Sequence, residues 1–291
     1  SRLEQMDGVR LGAWKMLVHA ALERPWWGFG WTSVASAQMS VVDQFPGVGM
    51  VFSQAHNLLL ELILGNGIPI GIFFGVVLIY WYAQTASVIR GASDAAIFLL
   101  LTATGIHALL ELPLHYAYFL LPVGMFIGVL NVRTDKPVVL HVARPLSWAV
   151  LLLGIAGLLI TARDYVQVES STNAFRYELA RIGPLTAEPP DVWVLTDQRE
   201  IFDLAKLASK DQINKGELAR LEKGAMQFPS SYLSFRTAFA MGLHGREADA
   251  RRWMDRACKI TSASNCSLFK NALNESGQTR ARASSISWPK E

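Results

Sequence analysis

The chain has 291 residues, 51% of them hydrophobic and 18% charged, with a mean hydropathy of +0.25. That balance excludes a disordered chain and a wholly soluble one. The net charge of +3 is small and carries no long basic run of the kind that tracks phosphate backbones, so nucleic acid is not an expected partner. Residues 1–162 hold 8 Lys/Arg and 8 Asp/Glu, whereas residues 163–291 hold 19 and 16. The expected fold is therefore all-α: a polytopic transmembrane helix bundle followed by a soluble helical domain. Residue 1 is Ser, and no basic start followed by a short apolar core opens the chain; we read it as a C-terminal fragment of a longer protein.

Four regions are expected in chain order. Residues 1–67 form an outer loop with amphipathic helices, and residues 68–162 form four transmembrane helices. Residues 163–276 form a soluble helical domain, and residues 277–291, rich in Ser and Arg, form a disordered tail.

Within the first region, Val9, Ala13, Trp14, Leu17, Ala20 and Ala21 recur at helical spacing, and Pro25 stops the helix. Four aromatics and two glycines follow in Trp26-Trp27-Gly28-Phe29-Gly30-Trp31, a composition suited to the lipid headgroup layer. A dinucleotide fingerprint is excluded there, because no strand precedes the glycines and Ser33 stands at the third glycine position. A second helix is expected to open near Ser53, capping Gln54–His56, and to run through Leu58–Leu64 to Gly67. Pro69 then suits the first turn of the next helix.

The spans are expected at Ile68–Ile89, Ala95–Leu112, Tyr116–Val132 and Leu146–Ala162, each near the roughly 20 apolar residues that a bilayer core requires. Arg90 lies in one connecting loop and Arg133, Lys136 and Arg144 in another, while the turn Glu111–His115 has neither Lys nor Arg. Basic loops are retained in the cytoplasm. The expectation is a multi-pass membrane protein with residues 1–67, the Glu111–His115 turn and the C-terminal domain on the far side, which for a bacterial inner membrane is the periplasm. Glycines four apart, at Gly67, Gly71 and Gly75 and at Gly124 and Gly128, read as close helix packing.

After Arg163, helices are expected near Gln198–Ser209, Ile213–Phe228, Tyr232–Gly242 and Arg246–Ile260. The last pair resembles a tetratricopeptide hairpin, and a plain helical hairpin is the alternative. The two cysteines, Cys258 and Cys266, fall in the domain placed outside the cytoplasm, where thiols oxidise. A disulfide closing that nine-residue ring would stabilise the domain by roughly 2.5 kcal/mol in the chain-entropy model; two buried thiols in a cytoplasmic domain are the alternative.

The run His56-Asn57-Leu-Leu-Leu-Glu61-Leu-Ile-Leu-Gly65-Asn66-Gly67-Ile-Pro69 resembles the signature of the O-antigen ligase and polymerase superfamily. Arg10-Leu-Gly-Ala-Trp14, with Pro25 and Gly28-Phe-Gly30 after it, resembles that family's preceding outer-loop helix. Leu110-Glu111-Leu-Pro113-Leu-His115-Tyr-Ala-Tyr-Phe-Leu-Leu-Pro122 is closer to its bacterial protein O-oligosaccharyltransferase branch. The family usually carries an acidic residue where Asn66 stands here, and its members have several more membrane helices.

The resemblance implies transfer of an oligosaccharide from a polyprenyl pyrophosphate carrier to Ser or Thr of an exported, pilin-like protein. The alternative acceptor is a sugar, as on the lipid A core, in a lipopolysaccharide O-antigen ligase or polymerase. It implies His56 as general base and Arg10 as the cation for the departing pyrophosphate, with a snorkelling arginine the alternative for Arg10. Asn57, Glu111 and His115 are expected to bind substrate; capping for Asn57, and mutual pairing for Glu111 and His115, are the alternatives. No HExxH or Cys/His cluster and no GxxxxGK[ST] loop is present, so no metal or cofactor is expected. The fragment alone is expected to be inactive. A transporter using His107, Glu111 and His115, or a membrane-anchored scaffold, are the rival classes.

Overall fold

A computed structural model describes residues 2–31, 33–133, 142–183 and 186–275. The expected tail at 277–291 and Lys136 in the second basic loop lie outside the described residues. The chain divides into two compact units, Ser1–Val139 with Lys259–Ser262, and Leu140–Cys258 with Ala263–Glu291. All regular structure among the described residues is helical.

In the first unit, α1 (Arg2–Glu23) begins earlier than its apolar spacing indicated and ends two residues before Pro25. Ala13, Met16, Leu17, Ala20 and Ala21 form its buried stripe. The stripe packs on α2 (Val34–Val41) and on α3 (Leu58–Asn66) through Val34, Ala37, Val41, Ala55, Leu60 and Leu64. Helix α2 was not expected, because its eight residues are mostly small or polar. Its buried Gln38 braces the following loop, donating to the Met50 carbonyl at 2.9 Å and accepting the Phe52 N–H at 2.7 Å.

Helix α3 does not open at Ser53. Asn57 caps it, its side-chain oxygen accepting the Leu60 N–H at 2.9 Å. The correction has a local cause: His56 adopts a left-handed backbone (φ 51°), which breaks any helix started upstream. Helix α4 (Ile68–Ser87) follows with Pro69 in its first turn. Gly67, between the two helices, has φ 89° and ψ 163°, a region open essentially to glycine alone. A side chain there would run into the Trp26 carbonyl. Gly28, also at positive φ, lies equally close to the Leu64 carbonyl. The aromatic loop is thereby sewn to the α3–α4 junction: Phe29 N–H donates to Leu64 O at 2.7 Å, Gly30 N–H to Gly65 O at 3.2 Å, and Ile68 N–H to Pro25 O at 2.7 Å. Trp26, Trp27 and Trp31 remain exposed on it.

Gly71 and Gly75 admit Ile63 and Leu59 of α3, as close packing requires, whereas nothing lies within 4 Å of where a side chain would start at Gly124 or Gly128. Helices α5 (Ala92–Ala108) and α6 (Ala117–Asn131) are shorter than the expected spans, at 17 and 15 residues. The chain bends away from α5 where the N–H groups of Leu109, Leu110 and Glu111 fold back onto its last carbonyls, and Pro113 opens a 3-10 turn, Pro113–His115. Tyr82 of α4 bonds Thr102 of α5 at 2.7 Å. His107 sits edge-on to Phe119, 6.5 Å between centroids, in a helix-packing role. Of the apolar helices, α4 and α7 (Arg144–Leu179) are long and apolar enough to cross a membrane.

In the second unit, α7 continues 17 residues past Ala162 as one 36-residue helix. Asp164, fully buried on it, accepts the N–H groups of Trp193, Val194 and Leu195 at 2.8, 2.7 and 3.2 Å. Arg163 beside it pairs with Asp191 at 2.6 Å. These contacts fold Asp191–Leu195 back onto α7, and no spacing in the sequence signalled them. Helices α8 (Thr196–Ala208), α9 (Lys215–Gln227), α10 (Ser231–Leu243) and α11 (Glu247–Lys259) lie within two or three residues of their expected bounds. An additional α12 (Ala263–Glu275), not expected, carries Cys266. Cys258 and Cys266 form a disulfide, 4.9 Å between Cα atoms.

Gly67→Ala should destabilise the first unit by about 1–3 kcal/mol from backbone strain alone, with the Trp26 carbonyl adding to the cost. Thermal denaturation of the full-length parent in detergent checks this, and Gly124→Ala serves as the neutral control.

Candidate active site

Five residues expected in the site meet in the first unit, and a glutamate lies at their centre. Arg10 projects from α1, His56 and Asn57 immediately precede α3, and Glu111 and His115 lie in the connection from α5 to α6. Arg10 Nη2 donates to Glu111 Oε1 at 2.7 Å, and His56 Nδ1 lies 2.8 Å from Glu111 Oε2. A single carboxylate thus holds an arginine 101 residues away and a histidine 55 residues away.

Glu111 does not pair with His115. Instead, Gln54 Nε2 lies 3.2 Å from His115 Nδ1. Asn57 has two jobs, its oxygen capping α3 and its Nδ2 donating to the Leu109 carbonyl at 2.9 Å. That bond ties the start of α3 to the end of α5, which brings Glu111 to His56. Asn66, where the family usually carries an acid, donates to Leu62 O within its own helix at 3.0 Å. His56 precedes the helix cap and faces a carboxylate.

The electrostatics follow from this geometry. The Glu111 carboxyl is held below its ordinary value of 4.5, chiefly by the His56 hydrogen bond; partial burial opposes this, and the charges of His56 and Arg10 assist. An ionised carboxylate only accepts, so Nδ1 of His56 carries the proton in this pair and Nε2 is the nitrogen left to exchange one. The side chains of Arg10, His56 and Glu111 are 38%, 47% and 41% exposed, which leaves the cluster open to substrate. Arg10 uses one of its five N–H donors on Glu111, and the others can hold phosphate oxygens.

The sequence reading missed Gln54, Trp14 and Glu61. Trp14 Nε1 donates to the Ala55 carbonyl at 2.9 Å, and Glu61 Oε2 accepts the Ala55 N–H at 2.8 Å. Trp14 and Glu61 stand inside the stretches that carry the family resemblance, where Trp14 read as part of an apolar helix face and Glu61 had no assigned role.

A polar cluster thus forms where α1, the turn before α3 and the connection from α5 to α6 meet. A family model described as virulence factor membrane-bound polymerase, C-terminal, matches residues 95–260, and one described as O-antigen ligase matches residues 4–75. The chain belongs to this membrane-bound polymerase family, within the O-antigen ligase superfamily and on its protein O-oligosaccharyltransferase branch. It is similar to the general O-oligosaccharyltransferase of Acinetobacter baylyi, 28% identical over 220 residues, which are 74% of this chain and 37% of that protein. It is also similar to the ComP-specific O-oligosaccharyltransferase of the same organism, 33% identical over 131 residues, 45% of this chain and 24% of that protein. The chain therefore aligns with less than two fifths of the length of either relative. No solved structure matches it.

Because the Glu111 carboxyl is lowered in the folded state, its contribution to stability is complete above the unfolded-state value and is lost as pH falls through the lowered folded value. The stability difference between wild type and Glu111→Gln in the full-length parent should be constant from pH 7 down to about pH 5, then shrink on further acidification. Melting temperatures across that pH range check the sign.

Proposed function

We propose that the full-length parent transfers an oligosaccharide from a polyprenyl pyrophosphate carrier to Ser or Thr hydroxyls of exported proteins at the periplasmic face of the inner membrane. The observation that carries this reading is the placement of His56 and Arg10 on the two oxygens of Glu111. A hydroxyl acceptor needs a base and a pyrophosphate leaving group needs a cation, and the cluster offers one of each on a common anchor. The two transferases named above support the reaction class.

In the reaction, His56 Nε2 takes the proton of the acceptor hydroxyl as its oxygen bonds to the anomeric carbon of the glycan. The bond from that carbon to the pyrophosphate oxygen breaks, and the leaving pyrophosphate carries away the electron pair. Glu111 accepts from Nδ1 and stabilises the imidazolium that forms, as the carboxylate of a catalytic triad does. Arg10 neutralises the charge that builds on the departing phosphate. These roles require no metal. Glu111 thereby moves from substrate binding to orientation of the base, and Asn57 to the same task through Leu109. His115, held by Gln54, remains placed for the sugar.

The four apolar helices α4 to α7 serve as the membrane-embedded part, and the helical hairpins after α7 serve as a tetratricopeptide-like acceptor platform in the periplasm. The Cys258–Cys266 bond supports that location, since such bonds persist outside the cytoplasm. The chain aligns with 37% and 24% of the lengths of the two transferases, and by itself it is proposed to be inactive.

His56→Ala in the full-length parent, co-expressed with a glycan pathway and a pilin-like acceptor, should lower transfer by about 10²-fold or more at unchanged protein level. Arg10→Lys keeps the charge but loses the planar fork, so it should be impaired, and Arg10→Ala more so. The acceptor mass shift reports both. For the topology, Cys258 and Cys266 should label with a membrane-impermeant maleimide on intact spheroplasts only after reduction; labelling confined to lysed cells, without reductant, would reverse it.

A further inference from the structure

The residue that holds the candidate base is itself in an unfavourable backbone conformation, and four contacts converge to keep it there. His56 has φ 51°, a left-handed conformation that most side chains avoid. On its N-terminal side, both polar groups of the Ala55 peptide are engaged by side chains. Ala55 N–H donates to Glu61 Oε2 at 2.8 Å, and Ala55 O accepts from Trp14 Nε1 at 2.9 Å. On its C-terminal side, Asn57 is pinned by its cap bond to Leu60 and its bond to Leu109. Ala55 is buried, its side chain in the α1–α2–α3 core. A free His56 would relax toward the right-handed or extended backbone, turning its imidazole off Glu111.

We propose that Glu61 and Trp14 are positioning residues for the base, clamping Ala55 so that His56 keeps its left-handed turn with Nδ1 on Glu111. This rests on the reading of His56 as general base. The asymmetry of the clamp supports it. Glu61 lies in the first turn of α3 and reaches back past the cap to Ala55, six residues away, while Trp14 comes from α1, one turn beyond Arg10. The helix that supplies the phosphate cation therefore also fixes the base, and the spacing between the two is set by α1. Neither Glu61 nor Trp14 touches the reacting atoms in this scheme; each acts through the backbone ahead of His56.

The test uses the full-length parent. Glu61→Ala should lower kcat for glycan transfer by about tenfold or more while the donor KM stays within about twofold, because the bond it removes acts on geometry and not on donor binding. Glu61→Gln retains an oxygen that accepts the Ala55 N–H and should restore kcat to within about threefold of wild type. Trp14→Phe keeps the ring but loses the donor, and should lower kcat in the same way. A second readout is independent of transfer: the imidazole ¹⁵N resonances of His56, identified by their absence in His56→Ala, should be unchanged in Glu61→Gln and shifted in both Glu61→Ala and Trp14→Phe. Should Glu61→Ala fail to accumulate, Trp14→Phe carries both measurements. Wild-type kcat and an unmoved His56 resonance in the disrupting variants would overturn the proposal, as would a loss in Glu61→Ala that Glu61→Gln does not restore. If the resonance shifts while His56→Ala transfers normally, the clamp stands and the base assignment falls.

Discussion

The carboxylate of Glu111 is the contact on which the site depends. It brings together a helix near the start of the chain, the turn before α3 and the exit from α5, and each of its two oxygens has its own cationic or proton-donating partner. Partly exposed ion pairs of this kind contribute little net stability, so the glutamate does not hold the fold together. Its worth is directional: it fixes which imidazole nitrogen keeps the proton and how far the guanidinium stands from it. The energy that makes such an arrangement possible comes from the apolar core of α1, α2 and α3, where Met16, Leu17, Ala37 and Leu64 are almost wholly buried.

The second requirement is that α3 start and stop at fixed places. Asn57 sets the start, with a cap bond to one side and a bond to Leu109 on the other. Gly67 sets the stop in a backbone conformation closed to other residues, with the Pro25–Gly30 loop laid against it. A helix of nine residues bounded in this way behaves as a rigid spacer between the candidate base at one end and the opening of α4 at the other. The site is thereby positioned where α1, the turn before α3 and the connection from α5 to α6 meet.

The residues of the cluster were legible in the sequence, but their relationships were not. Arg10, His56, Asn57, Glu111 and His115 all stand in stretches that resemble the superfamily. What joins them is contacts across 101, 55 and 52 residues, which no local spacing encodes. Hence Glu111 read as a substrate-binding residue, with pairing to nearby His115 the alternative, and Ser53 read as the cap, because a serine ahead of an apolar run fits the local rule and a left-handed His56 is not visible to it. The helices of the second unit were legible because their amphipathic periods are regular. Helix α2 has small and polar residues at most positions, and α12, which contains the second cysteine, opens with polar residues that read as a loop. The span that became α7 was extended by residues polar enough to read as its end. The Asp164 anchor was hidden for the same reason as Glu111, since its three partners lie 29 to 31 residues away.

The central claim is that His56 and Glu111 act as one unit in glycan transfer, and a double-mutant cycle tests it most directly. Transfer is measured in the full-length parent for His56→Ala, Glu111→Gln and the pair, with a mass-spectrometric assay sensitive enough to follow losses of about 10³-fold. Residues that work only through each other lose no more together than the worse one loses alone. The account predicts that the double variant matches His56→Ala. Losses that multiply, with each substitution taking its full toll in the absence of the other partner, would contradict it.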